Sequence, residues 1–183
     1  MVMKIDAKIS NMGRHIAGLA VIVTAASLAA CTAAAPPGPV VRTGAETAAI
    51  SSTVTEPAGY ETIFLSGMTG TLRAPDGSPP GTPGPDSGDT EAQATRALGN
   101  IKIALASKGL GFGDIVMMHA YLAPDPKTGR GDSAGWSRAY SKFFGVADQP
   151  NKPSRTSITV VLGSPAAKIE IETIAVRKPA GKI

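Results

Sequence analysis

The chain has 183 residues, of which 43% are hydrophobic, 17% charged and 4% aromatic, and its formal net charge is +4. This length is typical of one globular domain with short extensions, so we expect a single core. Residues 1–30 contain three basic side chains and one acidic one, which leaves the rest of the chain with a net charge of only +2. So small a charge gives no support for a protein that binds nucleic acid.

The first 30 residues have a basic start followed by the apolar stretch "IAGLAVIVTAASLAAC", which ends at Cys31, the only cysteine. This pattern is typical of a secretory signal peptide, and the stretch is short for a membrane span. Residues 28–31, "LAAC", resemble the bacterial lipobox, which implies a lipid on Cys31 as the first mature residue. We therefore expect a lipoprotein on the periplasmic side of the cell envelope. Because Thr32 follows instead of Asp, the outer membrane is favoured. An ordinary cleavage site beside an incidental cysteine is the alternative.

Three further segments are separated by composition. Residues 31–44 consist mainly of small residues and prolines without an amphipathic period, which predicts a tether. The domain is expected over residues 45–178, followed by a short tail at 179–183. Inside the domain, residues 70–89 contain five prolines and five glycines. This composition excludes helix and strand, so the segment is predicted as an exposed loop that is either functional or a tolerated insertion.

Periodicity predicts the elements in the order ββαβαββ. Two β-branched runs, 45–55 and 60–67, are separated by "PAG" and suggest a hairpin. Apolar residues recur at three and four positions from Thr90 to Gly109, with Thr90 and Gln93 as a capping box, which predicts a helix. A strand at 114–123, a second helix capped by Asp132 and two final strands within 151–176 complete the order. The sequence predicts an α+β fold, a mixed sheet with both helices on one face.

The strand at 114–123 is apolar on both sides. Ile115, Met117, His119 and Tyr121 alternate with Val116, Met118, Ala120 and Leu122. Two helices cover a sheet only once, and an antiparallel sheet with one wet face shows polar residues there. We therefore expect a second subunit to cover the other face.

Several kinds of chemistry are disfavoured by the residues present. No group of cysteines, histidines or carboxylates has the spacing of metal ligands, so no metal or other cofactor is expected. A Ser-His-Asp triad would require His119, which lies in the middle of an apolar strand and is better explained as a packed histidine. The glycines of "GLGFGD" lead from a helix into a strand, the reverse of a nucleotide-binding loop.

Charged side chains interrupt the last two strands. Arg155, Ser157, Thr159 and Val161 alternate onto one face of "SRTSITVVL", and Glu170 and Glu172 interrupt "KIEIETIAV". If the helices cover the side of Ile158 and Ile171, Arg155 and Glu170 both face the expected subunit interface. A cross-strand ion pair, or solvated ends of a sheet face, would explain the same pattern.

An ordered set of segments resembles the reactive intermediate deaminase family, also called RidA or YjgF. The segments are "LSG", "GDTEAQATRAL", "KGLGFGDIVMMHAYL", "AYSKFFG", "PSRTSITV" and "KIEIETIAV", and together they cover about residues 45–178. The resemblance implies a chorismate-mutase-like fold and a homotrimer with clefts between subunits. It also implies hydrolysis of 2-aminoacrylate-type enamines and imines to 2-keto acids and ammonia.

The resemblance assigns roles to six residues. Arg155 matches the family arginine that holds the substrate carboxylate, a task that suits a planar fork of donors. Glu170 matches the residue that orients or activates the attacking water. Ser157 stands where many members have cysteine, and Ser66 with Gly67 matches the pocket wall. Glu172 is expected to be structural.

Three positions depart from the family pattern. Thr53 stands where many active members have a pocket tyrosine, Ser137 where an asparagine is frequent, and Trp136 precedes it. A lipoprotein would also meet enamines only outside the cytoplasm, where they are not mainly made. The alternative function is therefore a non-catalytic envelope protein that binds a small carboxylate in the same cleft.

Overall fold

A computed structural model of the chain describes residues 35, 37–74, 76–78 and 85–180. These residues belong to one compact unit that begins at Ala35. The predicted signal peptide at 1–30 and Cys31 lie outside the described residues, as do the last three residues of the predicted tail. Within the described part of the chain, no helix has the length and apolar character needed to span a membrane.

The described residues form six strands, two α-helices and a 3₁₀ turn at Phe112–Asp114. Strands β1 and β2 form a separate two-stranded sheet, and the others form a four-stranded sheet in the order β3-β6-β4-β5. Neighbours in the larger sheet are antiparallel except for β4 and β5, which are parallel. The elements are β1 Val41–Thr43, β2 Thr53–Thr55, β3 Glu61–Thr69, α1 Thr90–Ala106, β4 Ile115–Leu122, α2 Ser133–Tyr140, β5 Ser154–Thr159 and β6 Ile169–Arg177.

The predicted ββαβαββ order with two helices on one face of a mixed sheet is confirmed, with one strand added before it. Both helices pack on the same side of the four-stranded sheet, where the buried side chains form one apolar core. That core contains Ala94, Ala97, Leu98, Ile101 and Leu105 of α1, Trp136, Ala139 and Tyr140 of α2, and Met118, Ala120, Leu122, Ile169, Ile171 and Ala175 of the strands.

The added strand β1 lies inside the segment predicted as a tether. It pairs with β2, so the predicted hairpin of residues 45–55 with 60–67 is wrong. Arg42 explains why this segment is held against the domain, since its Nη2 donates to the carbonyls of Gly113 at 2.8 Å and Ile115 at 3.2 Å. The small residues and prolines before β1 obscured the short β-branched stretch "VVRT".

The N-cap of the first helix lies one residue before the predicted cap, Thr90, which is the first helical residue. Asp89 is the N-cap residue, and its carboxylate accepts from the backbone N–H of Ala92 at 2.8 Å. The predicted capping box is therefore wrong, because the Gln93 side chain accepts from Lys168 N and donates to Ala166 O instead. The buried amide of Gln93 thus connects α1 to the segment before β6.

The predicted helix-stopping role of Gly109 is confirmed by its φ of +70° just after α1, in the left-handed region that favours glycine.

The predicted cap of the second helix is confirmed. The Asp132 carboxylate accepts from the backbone N–H of Gly135 at 2.8 Å. Ion pairs then join the helices, because Arg138 and Lys142 each lie 2.6 Å from the carboxylate of Glu91 on α1. The two helices therefore form one layer above the sheet.

A one-residue irregularity in β4 changes the face of one side chain. The pairing of β4 with β6 shifts between Ile115 and Met117, so Val116 is an extra residue. Ile115 is therefore fully buried on the helix side, although simple alternation placed it with Met117 on the other side. The face of the sheet away from the helices, called the outer face below, retains exposed apolar side chains, among them Phe64, Met117 and Ile158.

Candidate functional site

Arg155 lies on the helix side of strand β5. Its register partner on β4 is Met118, which in turn pairs with Thr173 of β6, and both of these residues are buried under the helices. Directly paired residues project from the same face of a sheet. The parallel pairing of β5 with β4 thus directs Arg155 towards α2 and away from the outer face.

The Arg155 guanidinium rests on two aromatic rings of α2. Its carbon Cζ lies 4.2 Å from the ring centre of Tyr140 and 5.2 Å from that of Trp136. The Tyr140 ring also stacks on Phe144, with ring centres 4.6 Å apart and an interplanar angle of 11°. Cation–π contacts of this kind favour a guanidinium in a partly desolvated place. The rings fix where the positive charge lies.

No acidic side chain among the described residues forms an ion pair with Arg155. Its Nη1 is buried without a hydrogen-bond partner, and burial lowers the pKa of the guanidinium. An arginine remains protonated despite such a shift, so a partly buried positive charge is left uncompensated. This arrangement suits a group that receives an anion from outside its own chain.

Ser157 follows on the same face of β5, two residues beyond Arg155. Its Oγ accepts a hydrogen bond of 3.1 Å from Nε1 of Trp136. The Ser157 side chain lies at the exposed side of this contact, whereas the indole is only 1% exposed. Arg155, Ser157 and Trp136 therefore form one group, called the arginine group below.

Glu170 lies on the opposite, outer face of the sheet. It pairs with Tyr121 of β4 and with Thr69 of β3. The pairing of β3 with β6 shifts between Leu65 and Met68, so Ser66 and Gly67 form a bulge beside it. A Cβ at Gly67 would collide with the Glu170 carboxylate, which means that the glycine makes room for it. Ser66, Gly67 and Glu170 form a second group, called the glutamate group below.

Glu172, the next residue on the outer face, is already engaged within its own chain. It accepts a hydrogen bond of 2.8 Å from the Tyr121 hydroxyl, which raises the pKa of Tyr121. The half-buried His119 places Nδ1 3.7 Å from the same carboxylate. Glu172 is thus used structurally, while Glu170 has no side-chain hydrogen bond or ion pair among the described residues.

The sequence-based placement of Arg155 and Glu170 on one face is wrong. The reason is the strand between them: β4 separates β5 from β6, and the register partners Met118 and Tyr121 are three residues apart on it. An odd separation places side chains on opposite faces. Ile158 accordingly lies on the outer face, 48% exposed, and does not share the helix-covered side with Ile171. A cross-strand ion pair between Arg155 and Glu170 is excluded by the same geometry.

Of the three positions that depart from the family pattern, Trp136 is part of the arginine group, whereas Thr53 and Ser137 have no contact with Arg155 or Glu170 among those described above. Thr53 is on β2 and shares a hydrogen bond of 2.6 Å with the Thr43 hydroxyl. Ser137 is exposed on α2, directly after Trp136. The contact of Trp136 and Tyr140 with Arg155 was not predicted from the sequence. The signal that could have indicated it is the spacing of the two aromatic residues, four positions apart on one face of the helix.

In the described part of the chain, no three acidic, histidine or cysteine side chains are grouped as a metal site would require.

A sequence model of one protein family, described as Endoribonuclease L-PSP, matches residues 54–177 of this chain. That range contains both the arginine group and the glutamate group. The chain belongs to the RidA/YjgF family.

Named relatives in this family include deaminases. The chain is 34% identical over 89 residues to the putative reactive intermediate deaminase TdcF of Escherichia coli, a match that covers 49% of this chain and 64% of TdcF. It is 33% identical over 90 residues to the 2-iminobutanoate/2-iminopropanoate deaminase of Escherichia coli, covering 49% of this chain and 66% of that protein. The chain thus spans less than two thirds of the length of these curated relatives.

A solved structure of the Rid family supports the fold. The family member YyfB from Yersinia pestis, described as a protein of unknown function, superposes with a TM-score of 0.56 at 21% identity. The superposition covers 74% of this chain and 97% of YyfB. This chain therefore shares the fold of YyfB over nearly the whole length of YyfB.

Proposed function

We propose that this protein hydrolyses reactive 2-imino acids and their enamine tautomers to 2-keto acids and ammonia, in a cleft between two subunits. The observation that carries the proposal is Arg155, a partly buried cation that rests on two aromatic rings and has no ion-pair partner among the described residues. A guanidinium supplies two parallel N–H donors for one carboxylate. The deaminase names of two relatives agree with such a substrate.

The cleft requires a second copy of the chain. The arginine group and the glutamate group lie on opposite faces of one sheet, so one chain cannot bring both to a single small substrate. We infer that the arginine group of one subunit faces the glutamate group of its neighbour, in a homotrimer. The exposed apolar side chains of the outer face support such an assembly.

The chemistry needs few protein groups, because imines hydrolyse spontaneously in water. Arg155 holds the carboxylate, and Glu170 accepts a proton from a water molecule as its oxygen bonds to the imine carbon. Glu170 then returns this proton to the nitrogen, which gives a carbinolamine with one hydroxyl and one amino group on the same carbon. Glu170 next takes the hydroxyl proton and delivers it to the amino nitrogen, so that the carbon–oxygen double bond forms as the carbon–nitrogen bond breaks and ammonia leaves the keto acid. Fixing a substrate and a water in contact accelerates such a step without a metal or redox partner.

The test uses 2-iminopropionate produced by an amino-acid oxidase and trapped with semicarbazide. The wild-type protein should reduce the trapped product by competing for the imine. Arg155→Lys should lose most of this effect, because a point ammonium cannot form the two parallel bonds. Arg155→Ala should abolish it. Arg177→Lys is the matched control, since Arg177 pairs with Glu61 far along the sheet and has no part in the proposed cleft.

The glutamate has a control on its own strand. Glu170→Gln should lose turnover but still bind pyruvate, since the amide keeps the shape and cannot accept the proton. Glu172→Gln changes the same functional group two residues away, where Tyr121 already occupies the carboxylate, and should retain turnover. Equal turnover in wild type and Glu170→Gln would rule out the proposed role of Glu170.

The second candidate is a non-catalytic lipoprotein of the cell envelope that binds a small carboxylate in the same cleft. It is favoured by the "LAAC" stretch before residue 32 and by the loss of the frequent tyrosine and asparagine at Thr53 and Ser137. A wild-type protein that binds pyruvate through Arg155 without competing for the imine would establish this function.

The localisation is tested separately. Cys31→Ser should release the protein from membranes. Mass spectrometry that finds a mature N-terminus at another residue, without a lipid, would contradict the anchor.

A further inference from the structure

The indole of Trp136 contacts both hydrogen-bonding side chains of the arginine group. It donates to Ser157 Oγ at 3.1 Å and lies 5.2 Å from the guanidinium carbon of Arg155. The side chain is 1% exposed and is held in place by the Tyr140 ring, whose centre lies 5.5 Å away. The indole is therefore held in contact with both Ser157 and Arg155, the two side chains of the group that could donate hydrogen bonds to a ligand.

The direction of the Trp136–Ser157 hydrogen bond determines what Ser157 can do. An indole N–H can only donate, so the Ser157 oxygen is the acceptor. The hydroxyl proton must then point away from the indole. No described residue accepts a hydrogen bond from Ser157 Oγ, and the side chain is exposed. Ser157 consequently has one free donor on the same strand face as Arg155.

We propose that Trp136 is a positioning residue for carboxylate recognition, which directs the Ser157 hydroxyl proton away from the indole so that it can donate to a ligand held by the Arg155 guanidinium. The inference rests on the proposed function and deepens it by assigning Trp136 and Ser157 parts in holding the carboxylate. A carboxylate has about four lone-pair sites, of which the guanidinium takes two and the Ser157 hydroxyl a third. The site thus prefers a carboxylate to the neutral amide of the same shape, because the amide nitrogen presents donors to these donors.

The indole restricts the orientation of the Ser157 hydroxyl. A serine oxygen has two lone pairs, of which the indole N–H occupies one. Turning the hydroxyl proton towards the indole would leave a buried indole N–H without a partner, which costs free energy. The proton therefore stays on the side away from the indole, where it can meet a carboxylate, and the guanidinium, which can only donate, discriminates against the amide nitrogen.

The principal test measures pyruvate binding to the full-length protein in detergent by isothermal titration calorimetry. Trp136→Phe retains a ring near Arg155 and removes the N–H donor together with part of the indole volume, an effect on packing that the double variant described below separates. We expect pyruvate to bind about threefold to tenfold more weakly, the effect of one net hydrogen bond. Ser157→Ala should weaken binding by a similar factor, and Ser157→Thr, which keeps a hydroxyl, should restore it.

The double variant separates positioning from general packing. If Trp136 acts through Ser157, Trp136→Phe should cause no further loss of affinity once Ser157 is alanine. Losses that multiply would mean that Trp136 acts independently of Ser157 and would overturn the inference. Phe143→Leu is the packing control, because Phe143 contacts Phe112 and lies outside the arginine group, and it should bind pyruvate like wild type.

A second measurement does not depend on any change at Trp136. Because Trp136 is the only tryptophan, its emission reports this group alone. Propionate, which does not absorb at the excitation wavelength, should change the emission of the wild type saturably, and propionamide should not. Equal responses to propionate and propionamide would overturn the inference.

The outcomes also distinguish this inference from the function on which it rests. Pyruvate bound equally well by wild type and Trp136→Phe, but not by Arg155→Ala, would overturn the role of Trp136 and leave the proposed function standing. Wild-type protein that binds no pyruvate, or binds it equally well as Arg155→Ala, would overturn both.

Discussion

Arg155 is a positive charge whose partial burial is offset by aromatic rings instead of a carboxylate. Desolvation of a charge is costly unless it is paired, and cation–π contacts recover only part of that cost. Tyr140 and Trp136 therefore hold the guanidinium in an orientation that an incoming carboxylate can complete. The sequence indicated an anion site at Arg155, because an arginine interrupts an otherwise apolar strand. The sequence did not show on which face of the sheet Arg155 lies, because that depends on the order of the strands.

Gly67 gives a prediction about the glutamate group. In Gly67→Ala the new methyl group would collide with the Glu170 carboxylate and displace it, so turnover of the imine should fall at least tenfold. Gly99→Ala is the matched control, because the added Cβ on helix α1 meets no atom within 4 Å beyond its chain neighbours and the backbone of its own helix. That variant should retain turnover and gain about 0.5–1 kcal/mol in free energy of unfolding, the usual preference for alanine in a helix.

Both glycine variants are compared in the semicarbazide assay and by urea unfolding. Equal turnover in Gly67→Ala and Gly99→Ala would show that the position of the Glu170 carboxylate does not matter.

Tyr140 gives a prediction about stability. Its hydroxyl is buried without a partner, so Tyr140→Phe removes an unsatisfied polar group and keeps the ring between Phe144 and Arg155. At pH 8 the variant should unfold with the wild-type free energy or up to about 1 kcal/mol more. A loss of more than 1 kcal/mol at pH 8 would mean that the hydroxyl has a stabilising partner.

The same substitution predicts a difference at alkaline pH. Burial raises the pKa of Tyr140 to about 12, although the charge of Arg155 acts in the opposite direction. An unfolded tyrosine ionises near pH 10. Below pH 10 the phenol is neutral in both states, and above it the unfolded state loses the proton first. Wild-type stability should therefore decrease between about pH 10 and 12 more steeply than that of Tyr140→Phe, as measured by urea unfolding at several pH values.

At the scale of elements, sequence patterns predicted the long segments and failed where distant contacts decide. Helices α1 and α2 and strands β4 to β6 were predictable because their apolar residues repeat with a helical or strand period. Strand β1 was missed because three residues give no period, and its position depends on the contacts of Arg42 with Gly113 and Ile115. The capping box failed for a similar reason, since Gln93 bonds to Lys168 and Ala166, more than 70 residues away.

The residues of the candidate site could be predicted from the sequence, but their arrangement could not. Arg155, Ser157, Glu170, Ser66 and Gly67 were all selected from the sequence, by alternation or by family resemblance. Their separation into two groups was not, because it depends on the insertion of β4 between β5 and β6. Strand neighbours that are distant in sequence cannot be read from periodicity alone.

At the scale of the whole molecule, the described residues place both helices on one face of the four-stranded sheet and leave apolar side chains exposed on the other. Its outer face presents Phe64 at 74%, Met117 at 39% and Ile158 at 48% exposure, as the two-sided apolar strand predicted. Glu170, Glu172 and Tyr121 lie on the same face. An apolar face of this kind favours association with another copy.

The last prediction concerns that association. The chain from Ala35 onward, which includes β1 and its contacts, should be a trimer by light scattering at micromolar concentration. Phe64→Asp should dissociate it, because the carboxylate would have to be desolvated in the interface. Ile103→Asp is the matched control: Ile103 is 72% exposed, almost the same as Phe64, but lies on α1 in the helix layer, so this variant should remain trimeric. If both variants keep the wild-type mass, or the wild type is a stable monomer, the outer face is not the interface. The arginine and glutamate groups would then have no means of meeting, and the proposed cleft would be wrong.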